Sequence, residues 1–424
     1  MSNTHVTKCP EHRRGDSCSR RILVLSSGFP SQAHPTLGAF VKDRVRAVAS
    51  MPGHEVRVIA PVPYFPPLRC FKRWYVWSQF PRQELVDGLT VIRPRYALPP
   101  KIGHYLQARL MFPAVKRAVE RIRQEFDFDL IDGHMVYPNG VVAARLGELY
   151  NKPVVITGRG EDMLRFPDYP LIGDEIRYAL RNATQCVALS TEIADRMQAH
   201  GAESAKISVI ANGVDWHKFN PISKNEARRR LNLPPDRPIV VSVGNRQERK
   251  GFHILVDAIP IIRRQHPDVL CVIVGGTSPF GHDYTRTIEE RVRINGVQRH
   301  VRLVGRCLHH ELVEWYSAAD AFALLSSGEG SPNVLLEALA CGVPCVATPV
   351  GGIPDELEDG RRGILLADRS AEVAGLGLSD ALGRDWDRSY IRRSMARRTW
   401  EWTAGEVGEV LQRALQSYQA AGSR

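Results

Sequence analysis

Short apolar segments alternate with helix-like segments along this chain, and the alternation runs through the chain twice. Strands that are apolar at every residue, rather than at every second residue, are typical of parallel sheets covered by helices on both faces. The two series therefore predict an α/β fold of two Rossmann-like, doubly wound domains. The length of 424 residues agrees, because a single hydrophobic core rarely exceeds ~300 residues.

The predicted elements form two sets, separated by a polar segment at residues 212–221. In the first set the strands are 21–26, 55–60, 90–94, 130–133, 154–157 and 186–190, and the helices are 38–50, 105–126, 140–150, 173–182 and 192–201. In the second set the strands are 239–243, 270–274, 301–304, 321–325, 344–347 and 363–366, and the helices are 251–265, 284–295, 310–318 and 333–340.

These sets divide the chain into four parts. Residues 1–20 are predicted to be a disordered basic tail, 21–212 and 213–384 the two Rossmann-like domains, and 385–424 helices that cross back to the first domain. Ligands of open parallel sheets bind at the carboxyl ends of the strands. The functional site is therefore predicted in a central cleft between the two domains.

Membrane-spanning and metal-binding patterns are missing from the sequence. No apolar run approaches the ~20 residues that span a bilayer. The first twenty residues lack the apolar core of a signal peptide, so we expect a cytoplasmic protein. The eight cysteines are scattered, without a CxxC pair or metal-ligand spacing, so the sequence predicts neither a zinc site nor a disulfide framework.

The formal net charge of +11 lies mostly in the first half of the chain. A basic surplus of this kind suits nucleic acid, an anionic membrane surface or a phosphorylated substrate. No nucleic-acid-binding motif accompanies the charge. The segment 105–126 combines apolar residues at helical spacing with several cations, and Pro113 is predicted to kink or break it. Such a helix can lie on an anionic membrane or simply present a charged outer face.

Residues 326–352 (SSGEGSPNVLLEALACGVPCVATPVGG) carry the most informative chemistry. Glu329 lies in a loop of small residues, whereas Glu337 lies in the apolar run 334–340. A carboxylate in such a run is costly unless it accepts hydrogen bonds, which sugar or ribose hydroxyls supply. Pro332 and Asn333 mark a helix start, where free N–H groups favour an anionic ligand. The segment therefore predicts a nucleotide-sugar site.

Three further segments follow predicted strands and so face the same cleft. After strand 239–243, Arg246, Arg249 and Lys250 lie in a loop that opens a helix, where cations would meet a diphosphate. The alternative is a solvated basic turn. In the first domain, His134 follows strand 130–133, and its alternative is a histidine with a structural role in the core. Arg159, Glu161 and Asp162 follow strand 154–157, with a solvated charged turn as the alternative.

Taken together, these motifs resemble the retaining glycosyltransferases of family 4, which have the two-domain GT-B fold. The resemblance covers the chain after residue 20 and is carried chiefly by the two glutamates in EGSPNVLLEALACGVPCVATPVGGIPDEL. Supporting segments are GHMVYPNG, VIANGVDWHKFNP, VSVGNRQERKGF and VRLVGRCLHHELVEWYSAADAFALLS. The opening loop and TGRGED resemble members that build cell-envelope or exported polysaccharides.

The resemblance implies a role for each matching residue. Glu337 would bind ribose hydroxyls, and Glu329 would contact the transferred sugar near the reacting carbon. Lys250, with Arg246 or Arg249, would neutralise the leaving diphosphate, so that no metal or other cofactor is needed. His134 would lie beside the sugar, the donor site would include Gly38, Gly330, Ser331, Pro332, Asn333, Val334 and Leu335, and the acceptor side would include Arg159, Glu161 and Asp162.

Two positions depart from the family pattern. Asn245 stands where the family often has an arginine after Gly244, so Arg246 or Arg249 would have to substitute. Arg159 stands where the family often has a histidine.

The function implied is a retaining transfer of a sugar from a nucleotide-diphosphate sugar to a glycan or lipid-linked acceptor in polysaccharide or cell-envelope biosynthesis. The transferase would be cytoplasmic and peripheral on the inner face of the membrane, with an anionic membrane surface as a partner and no nucleic acid. The alternative is a nucleotide-sugar-binding protein, or an epimerase of the same fold, without transferase activity.

Overall fold

The computed structural model describes residues 20–70, 72–99, 103–277 and 283–422, and it contains two parallel β-sheets with helices on both faces. The tail predicted at residues 1–20 lies outside the described residues, except for Arg20. The doubly wound architecture of two Rossmann-like domains is confirmed.

The first sheet has eight strands in the order β10-β9-β8-β7-β1-β2-β5-β4, and only β4 runs antiparallel to its neighbour. Its strands, together with the small pair β3 and β6, are β1 (Arg20–Leu25), β2 (His54–Ile59), β3 (Val62–Pro63), β4 (Gln83–Val86), β5 (Leu89–Ile92), β6 (Arg95–Tyr96), β7 (Leu130–His134), β8 (Val154–Gly158), β9 (Gln185–Ala188) and β10 (Ile207–Val209). Its helices are α1 (Ala39–Ala49), α2 (Lys72–Ser78), α3 (Gln107–Ile122), α4 (Val141–Tyr150), α5 (Glu161–Leu164), α6 (Pro170–Asn182) and α7 (Thr191–Ala199).

The second sheet has six parallel strands in the order β13-β12-β11-β14-β15-β16. They are β11 (Ile239–Val243), β12 (Leu270–Val274), β13 (Val301–Val304), β14 (Ala321–Leu324), β15 (Cys345–Ala347) and β16 (Gly363–Leu365). The helices of this part of the chain are α8 (Lys224–Arg230), α9 (Phe252–Ile262), α10 (Thr285–Ile294), α11 (Leu312–Ala318), α12 (Asn333–Ala340), α13 (Ile353–Leu357), α14 (Ala371–Gly383), α15 (Arg388–Ser394) and α16 (Trp400–Gly422).

The central strands match their predictions closely, because they are buried on both faces and read as continuous apolar runs. The edge strand β4 was not predicted, because it is only partly buried and has no apolar run. Of the kink or break predicted at Pro113, the break is wrong, since α3 continues through this residue. Pro113 is exposed, so the Arg109 carbonyl that loses its N–H partner can bond water instead.

The C-terminal segment connects the two domains a second time. Helix α15 belongs to the second domain, where the Arg388 Nε donates to the Gly342 carbonyl. Helix α16 packs instead against α1 on the first sheet, in a cluster with Val41 and Val45. Val214 lies beside Thr399 in an isolated β-bridge, so the two connecting segments run side by side.

The packing of α16 on the first domain makes a stability prediction. Leu411 is 1 % exposed within this cluster. Leu411→Ala should lower the free energy of unfolding of the first domain by about 2–5 kcal/mol, because it leaves a cavity. The measurement is urea unfolding followed by circular dichroism. Leu376→Ala, at a position 55 % exposed, is the matched control and should change stability by less than about 0.5 kcal/mol. Equal effects of the two changes would contradict the packing of α16.

Candidate active site

Loops from both sheets meet where the carboxyl ends of their strands face each other. The Gly160 backbone packs against Gly330, at the start of the segment that leads into α12. Asn212 donates from its amide to the Ser331 carbonyl (3.2 Å) and to Asn333 Oδ1 (2.9 Å). The predicted cleft is therefore lined by the loops after β8, β11 and β14.

Two cations hold the buried carboxylate of Glu329. Lys250 Nζ lies 2.6 Å from Oε1, and Arg249 Nη1 lies 3.3 Å from Oε2. The Ser326 hydroxyl also donates to Oε1 at 2.6 Å. Burial opposes the charge of this carboxylate, but the two cations prevail and hold the pKa of Glu329 below its usual range. Lys250 and Glu329, predicted from two separate segments, are thus brought into direct contact.

The sequence left open whether Arg246 or Arg249 lies beside Lys250, and the structure decides between them. Arg249 lies on the short 3₁₀ turn Glu248–Lys250 and reaches Glu329, and its Nε lies 3.9 Å from Glu161 of the first domain. Arg246 turns away, because its Nη2 donates to the Val304 carbonyl at 2.9 Å. Arg249 is therefore the arginine placed beside Lys250.

Glu337 is buried in α12 and both of its oxygens are occupied. His309 Nε2 lies 2.7 Å from Oε1, and the Tyr316 hydroxyl donates to Oε2 at 2.8 Å. Burial lowers the pKa of His309, but the hydrogen bond and charge of Glu337 outweigh this, and the net pKa is raised. Sequence reasoning missed both partners, although His309 follows the end of β13, where cleft residues are expected.

The start of α12 presents backbone donors to the cleft. The helix begins at Asn333 after Pro332, and the Leu335 N–H already bonds the Pro332 carbonyl at 3.0 Å. The N–H groups of Asn333 and Val334 have no acceptor within the described part of the chain. At this helix start the N–H groups of Asn333 and Val334 are therefore available to an anionic ligand, whereas that of Leu335 is not.

Two glycines permit backbone contacts that any side chain would block. Gly38 has a φ of +64°, and a Cβ there would collide with the Gly28 carbonyl. A Cβ on Gly330 would collide with the Arg159 carbonyl of the other domain. Glycine at 330 thus allows the two halves of the cleft to touch beside Glu329.

His134 lies completely buried between two charged side chains. Arg159 donates to Nδ1 through Nη2 (2.6 Å) and Nε (3.2 Å), and Nε2 lies 3.1 Å from Asp132 Oδ2. Because arginine only donates, Nδ1 must accept, and the proton resides on Nε2. Both ring nitrogens are therefore used by the protein, and Arg159 separates the ring from the cleft.

The charges around His134 keep it neutral. Burial lowers the pKa of His134, and although Asp132 opposes this, Arg159 and Arg44 add to it, giving a pKa of about 4. Burial and the nearby Arg44 likewise lower the pKa of Arg159 to about 9. Burial opposes ionisation of Asp132, but His134, which donates to it, and the charges of Arg44 and Arg159 hold its pKa at about 2. At neutral pH the cluster is a neutral imidazole between charged groups.

Asp162 has a different role from its neighbours in the same loop. It is fully buried, and its carboxylate accepts from the backbone N–H groups of Val136 (2.7 Å), Arg159 (3.0 Å) and Gly160 (2.8 Å). Asp162 therefore fixes the loop that carries Arg159 and does not face the cleft. Arg159 itself is half-buried, stacks over Phe40, and has no hydrogen-bond partner at Nη1 among the described residues.

The site can bind an anion but shows no metal-binding cluster. Lys250, Arg249 and the start of α12 converge on one part of the cleft. No group of three or more His, Cys, Asp or Glu is placed to hold a metal ion anywhere in the described ranges. Positive charge and backbone N–H groups are able to stabilise negative charge in this part of the cleft.

Comparison with known protein families agrees with this geometry. Residues 38–218 match the model described as Glycosyltransferase Family 4, and residues 223–395 match the model described as Glycosyl transferases group 1. The two matches divide between the parts of the chain that form the two sheets.

Curated relatives cover most of the chain. The putative teichuronic acid biosynthesis glycosyltransferase TuaC of Bacillus subtilis is 29% identical, over 86% of this chain and 88% of its own length. A D-inositol 3-phosphate glycosyltransferase of Jonesia denitrificans is 30% identical, over 74% and 77%. A GDP-mannose-dependent alpha-(1-6)-phosphatidylinositol monomannoside mannosyltransferase of Mycolicibacterium smegmatis is 26% identical, over 94% and 100%.

Solved structures share the fold. The sucrose-phosphate synthase of Thermosynechococcus elongatus superposes with a TM-score of 0.76 at 22% identity, covering 94% of this chain and 100% of that one. Anabaena HepE, in complex with UDP and glucose, superposes with a TM-score of 0.67 at 20% identity, covering 92% and 99%.

The neutral state of His134 can be tested directly. Its pKa of about 4 lies below the ~6.5 of an unfolded chain, so between these values only the unfolded chain binds the proton. Stability should therefore fall as pH drops from about 6.5 to 4, by up to about 3 kcal/mol. The measurement is NMR titration of histidine-labelled protein, with unfolding at pH 7 and pH 5.

The matched variant is Arg159→Gln, which removes the neighbouring cation and should raise the pKa of His134. A His134 resonance that titrates near pH 6.5 in the wild-type protein would contradict the buried neutral assignment.

Proposed function

We propose that this chain, which belongs to the glycosyltransferases of group 1 and family 4, transfers a sugar from a nucleotide-diphosphate sugar with retention of anomeric configuration. The observation that carries the proposal is the contact of Lys250 and Arg249 with Glu329 at the carboxyl edge of the second sheet. This contact brings the two cations proposed to bind the diphosphate next to the carboxylate proposed to bind the sugar.

The ligands of structural neighbours support a nucleotide-sugar donor. HepE has been solved with UDP and glucose and with UDP-glucose, and starch synthase IV of Arabidopsis thaliana with ADP. The mycobacterial relative is described as GDP-mannose-dependent. These proteins use different bases and sugars, so their names support the donor class and do not choose one donor.

The donor can be placed along the cleft. Its diphosphate would lie against Lys250, Arg249 and the free N–H groups of Asn333 and Val334. Its ribose would reach Glu337 by displacing His309, whose side chain is 47 % exposed, while Tyr316 keeps its buried hydrogen bond. A small cavity beside Glu337 is lined also by Asp43, Asn333 and Trp400.

Charge development explains how these residues would accelerate transfer. As the sugar leaves the diphosphate, negative charge grows on the phosphate, and the cations of Lys250 and Arg249 stabilise the transition state more than the ground state. No metal is then required. Glu329 would bind a sugar hydroxyl near the developing positive charge.

Retention follows from attack on the same face. In the cleft, Glu329 and Glu337 already accept hydrogen bonds, Glu161 lies 3.9 Å from Arg249, and His134 is buried behind Arg159. The departing phosphate would therefore take the proton of the acceptor hydroxyl, and no side-chain base would be needed.

The donor site makes an activity prediction. Lys250→Ala should lower kcat by about 10²–10³, because removing one preorganised charge stabilising a leaving group has an effect of this size. The measurement is transfer of labelled sugar from UDP- and GDP-sugars to lipid extracts and purified glycans. Lys206→Ala, in an exposed pair with Glu203, is the matched control and should leave the rate unchanged.

Two outcomes would contradict the proposal. Unchanged transfer by both Lys250→Ala and Glu329→Gln would mean that the site lies elsewhere. NMR of the product should show the anomeric configuration of the donor, and an inverted product would rule out retention. Binding of a nucleotide sugar without transfer to any acceptor would favour the alternative of a binding protein or epimerase.

For the acceptor, we propose a glycan or lipid-linked substrate of cell-envelope polysaccharide synthesis, reached at an anionic membrane surface. TuaC is named for teichuronic acid biosynthesis, and the mycobacterial relative for a phosphatidylinositol mannoside. No helix among the described residues is long and apolar enough to cross a bilayer. We propose that contact with the membrane is peripheral.

Two exposed parts of the first domain have the chemistry for such contact. Helix α3 exposes Arg117 and Arg121. The chain that follows β3 exposes Tyr64 and Leu68. Exposed cations, together with exposed aromatic and aliphatic side chains, suit an anionic lipid surface.

Flotation tests this surface. The protein should float with vesicles containing phosphatidylglycerol, and the bound fraction should fall with added salt because the attraction is electrostatic. Arg117→Glu with Arg121→Glu should weaken binding by at least about thirtyfold, at roughly 1 kcal/mol per cation removed. The matched control is Arg263→Glu with Arg264→Glu, which reverses the charge of two exposed arginines in the second domain. Equal loss in both variants, or no binding at low salt, would contradict the surface.

A further inference from the structure

A second cavity lies at the opposite edge of the second sheet from Lys250 and Glu329. Its volume is about 550 Å³, within the range of small-molecule sites. Pro238, Asp320 and Pro344 line it, and they directly precede β11, β14 and β15. The cavity is therefore at the amino ends of these strands, and the cleft does not include it.

Positive charge dominates the lining. Five cations face three carboxylates: Lys224, Arg228, Arg237, Arg384 and Arg388 against Asp236, Asp320 and Asp385. Asp320 is already neutralised, because it pairs with Arg228 (2.7 Å) and Lys224 (3.0 Å) and accepts from the Ile239 N–H (2.7 Å). The cavity thus retains a net positive charge.

Three of the arginines, Arg237, Arg384 and Arg388, are held in place by hydrogen bonds that they donate through Nε and Nη2. Arg237 donates through Nε to the Asp268 carbonyl (2.6 Å) and through Nη2 to the Val269 and Arg299 carbonyls. Arg388 donates through Nε and Nη2 to the carbonyls of Gly342 (3.0 Å) and Ala319 (2.9 Å).

Arg384 uses the same two atoms to bind both carboxylate oxygens of Asp380. In Arg237, Arg384 and Arg388, the third nitrogen, Nη1, has no hydrogen-bond partner in the part of the chain that is described. Guanidinium groups held in place with one free donor lose little freedom when they bind an oxyanion.

The remaining lining suits the rest of a ligand. Asp236 and Asp385 have no ion-pair partner among the described residues, and a carboxylate accepts hydrogen bonds from hydroxyls. The half-buried ring of Trp386 and the side chain of Leu382 provide an apolar wall. A simple anion would contact only the cations. A phosphorylated sugar would contact the cations, the carboxylates and the apolar wall.

We propose that this cavity is a second ligand site, which binds a phosphorylated sugar with its phosphate on the free Nη1 donors and Lys224, and its hydroxyls on Asp236 and Asp385. The site is independent of the proposed donor site, since the two lie at opposite edges of one sheet. It is nevertheless in contact with the same helix, because Arg388 holds the Gly342 carbonyl just after the end of α12, and α12 carries Glu337.

Isothermal titration calorimetry with the full chain tests the site. Glucose 6-phosphate is the probe, and inorganic phosphate and glucose are compared with it. We expect saturable binding of glucose 6-phosphate, at least tenfold tighter than either compound. Lys224→Ala with Arg384→Ala should weaken it at least tenfold. Both side chains are about half exposed, and such surface pairs contribute little to folding.

Lys250→Ala distinguishes this site from the cleft and should leave the binding unchanged. Three results would overturn the proposal: no saturable binding, equal affinity for inorganic phosphate, or binding that Lys250→Ala abolishes while the cavity variant retains it. Circular dichroism melting of each variant shows that it is folded before titration.

Discussion

The ion pair between Lys250 and Glu329 organises the site. A carboxylate removed from water is unfavourable by itself, and so is a desolvated ammonium group. At 2.6 Å, with Ser326 and Arg249 as additional partners, each group offsets the cost of the other. The pair therefore keeps charge inside the cleft without a ligand. A diphosphate that enters would meet cations already held in place, and the sugar would meet a carboxylate that is already ionised.

The two domains bring different chemistry to the cleft. The second domain contributes groups that attract a charged or polar ligand. They are cations, the start of a helix, and carboxylates that can exchange hydrogen-bond partners. The first contributes a rigid layer in which His134 links Asp132 to Arg159 and Asp162 fixes the loop. Arg44 lies deeper in this layer and raises the cost of any further positive charge there. The first domain thus places Arg159 at the cleft, and the buried His134 accepts hydrogen bonds from it.

Much of this arrangement could be predicted from the sequence, and for a definite reason. Buried parallel strands are marked by apolar runs, and residues just after them must lie at one edge, so Lys250, Glu329 and Arg159 could be assigned to one cleft. The choice between Arg246 and Arg249 could not be made, because it depends on the turn at Glu248–Lys250. The partners of Glu337 were missed because His309 and Tyr316 come from another loop and helix. Strand β4 is only partly buried, and α3 continues through the exposed Pro113. Both features depend on solvent exposure, which the local sequence pattern does not reveal.

The paired connections between the domains also limit how they can move. One connection passes Val214 and the other passes Thr399, and the two are hydrogen-bonded neighbours. Because the two tethers are adjacent, any opening of the cleft would pivot about this one place. The contacts between Gly351 and Glu192 and between Thr191 and Asp355 would have to break on such opening. Helix α16 would move with the first domain, because it packs there.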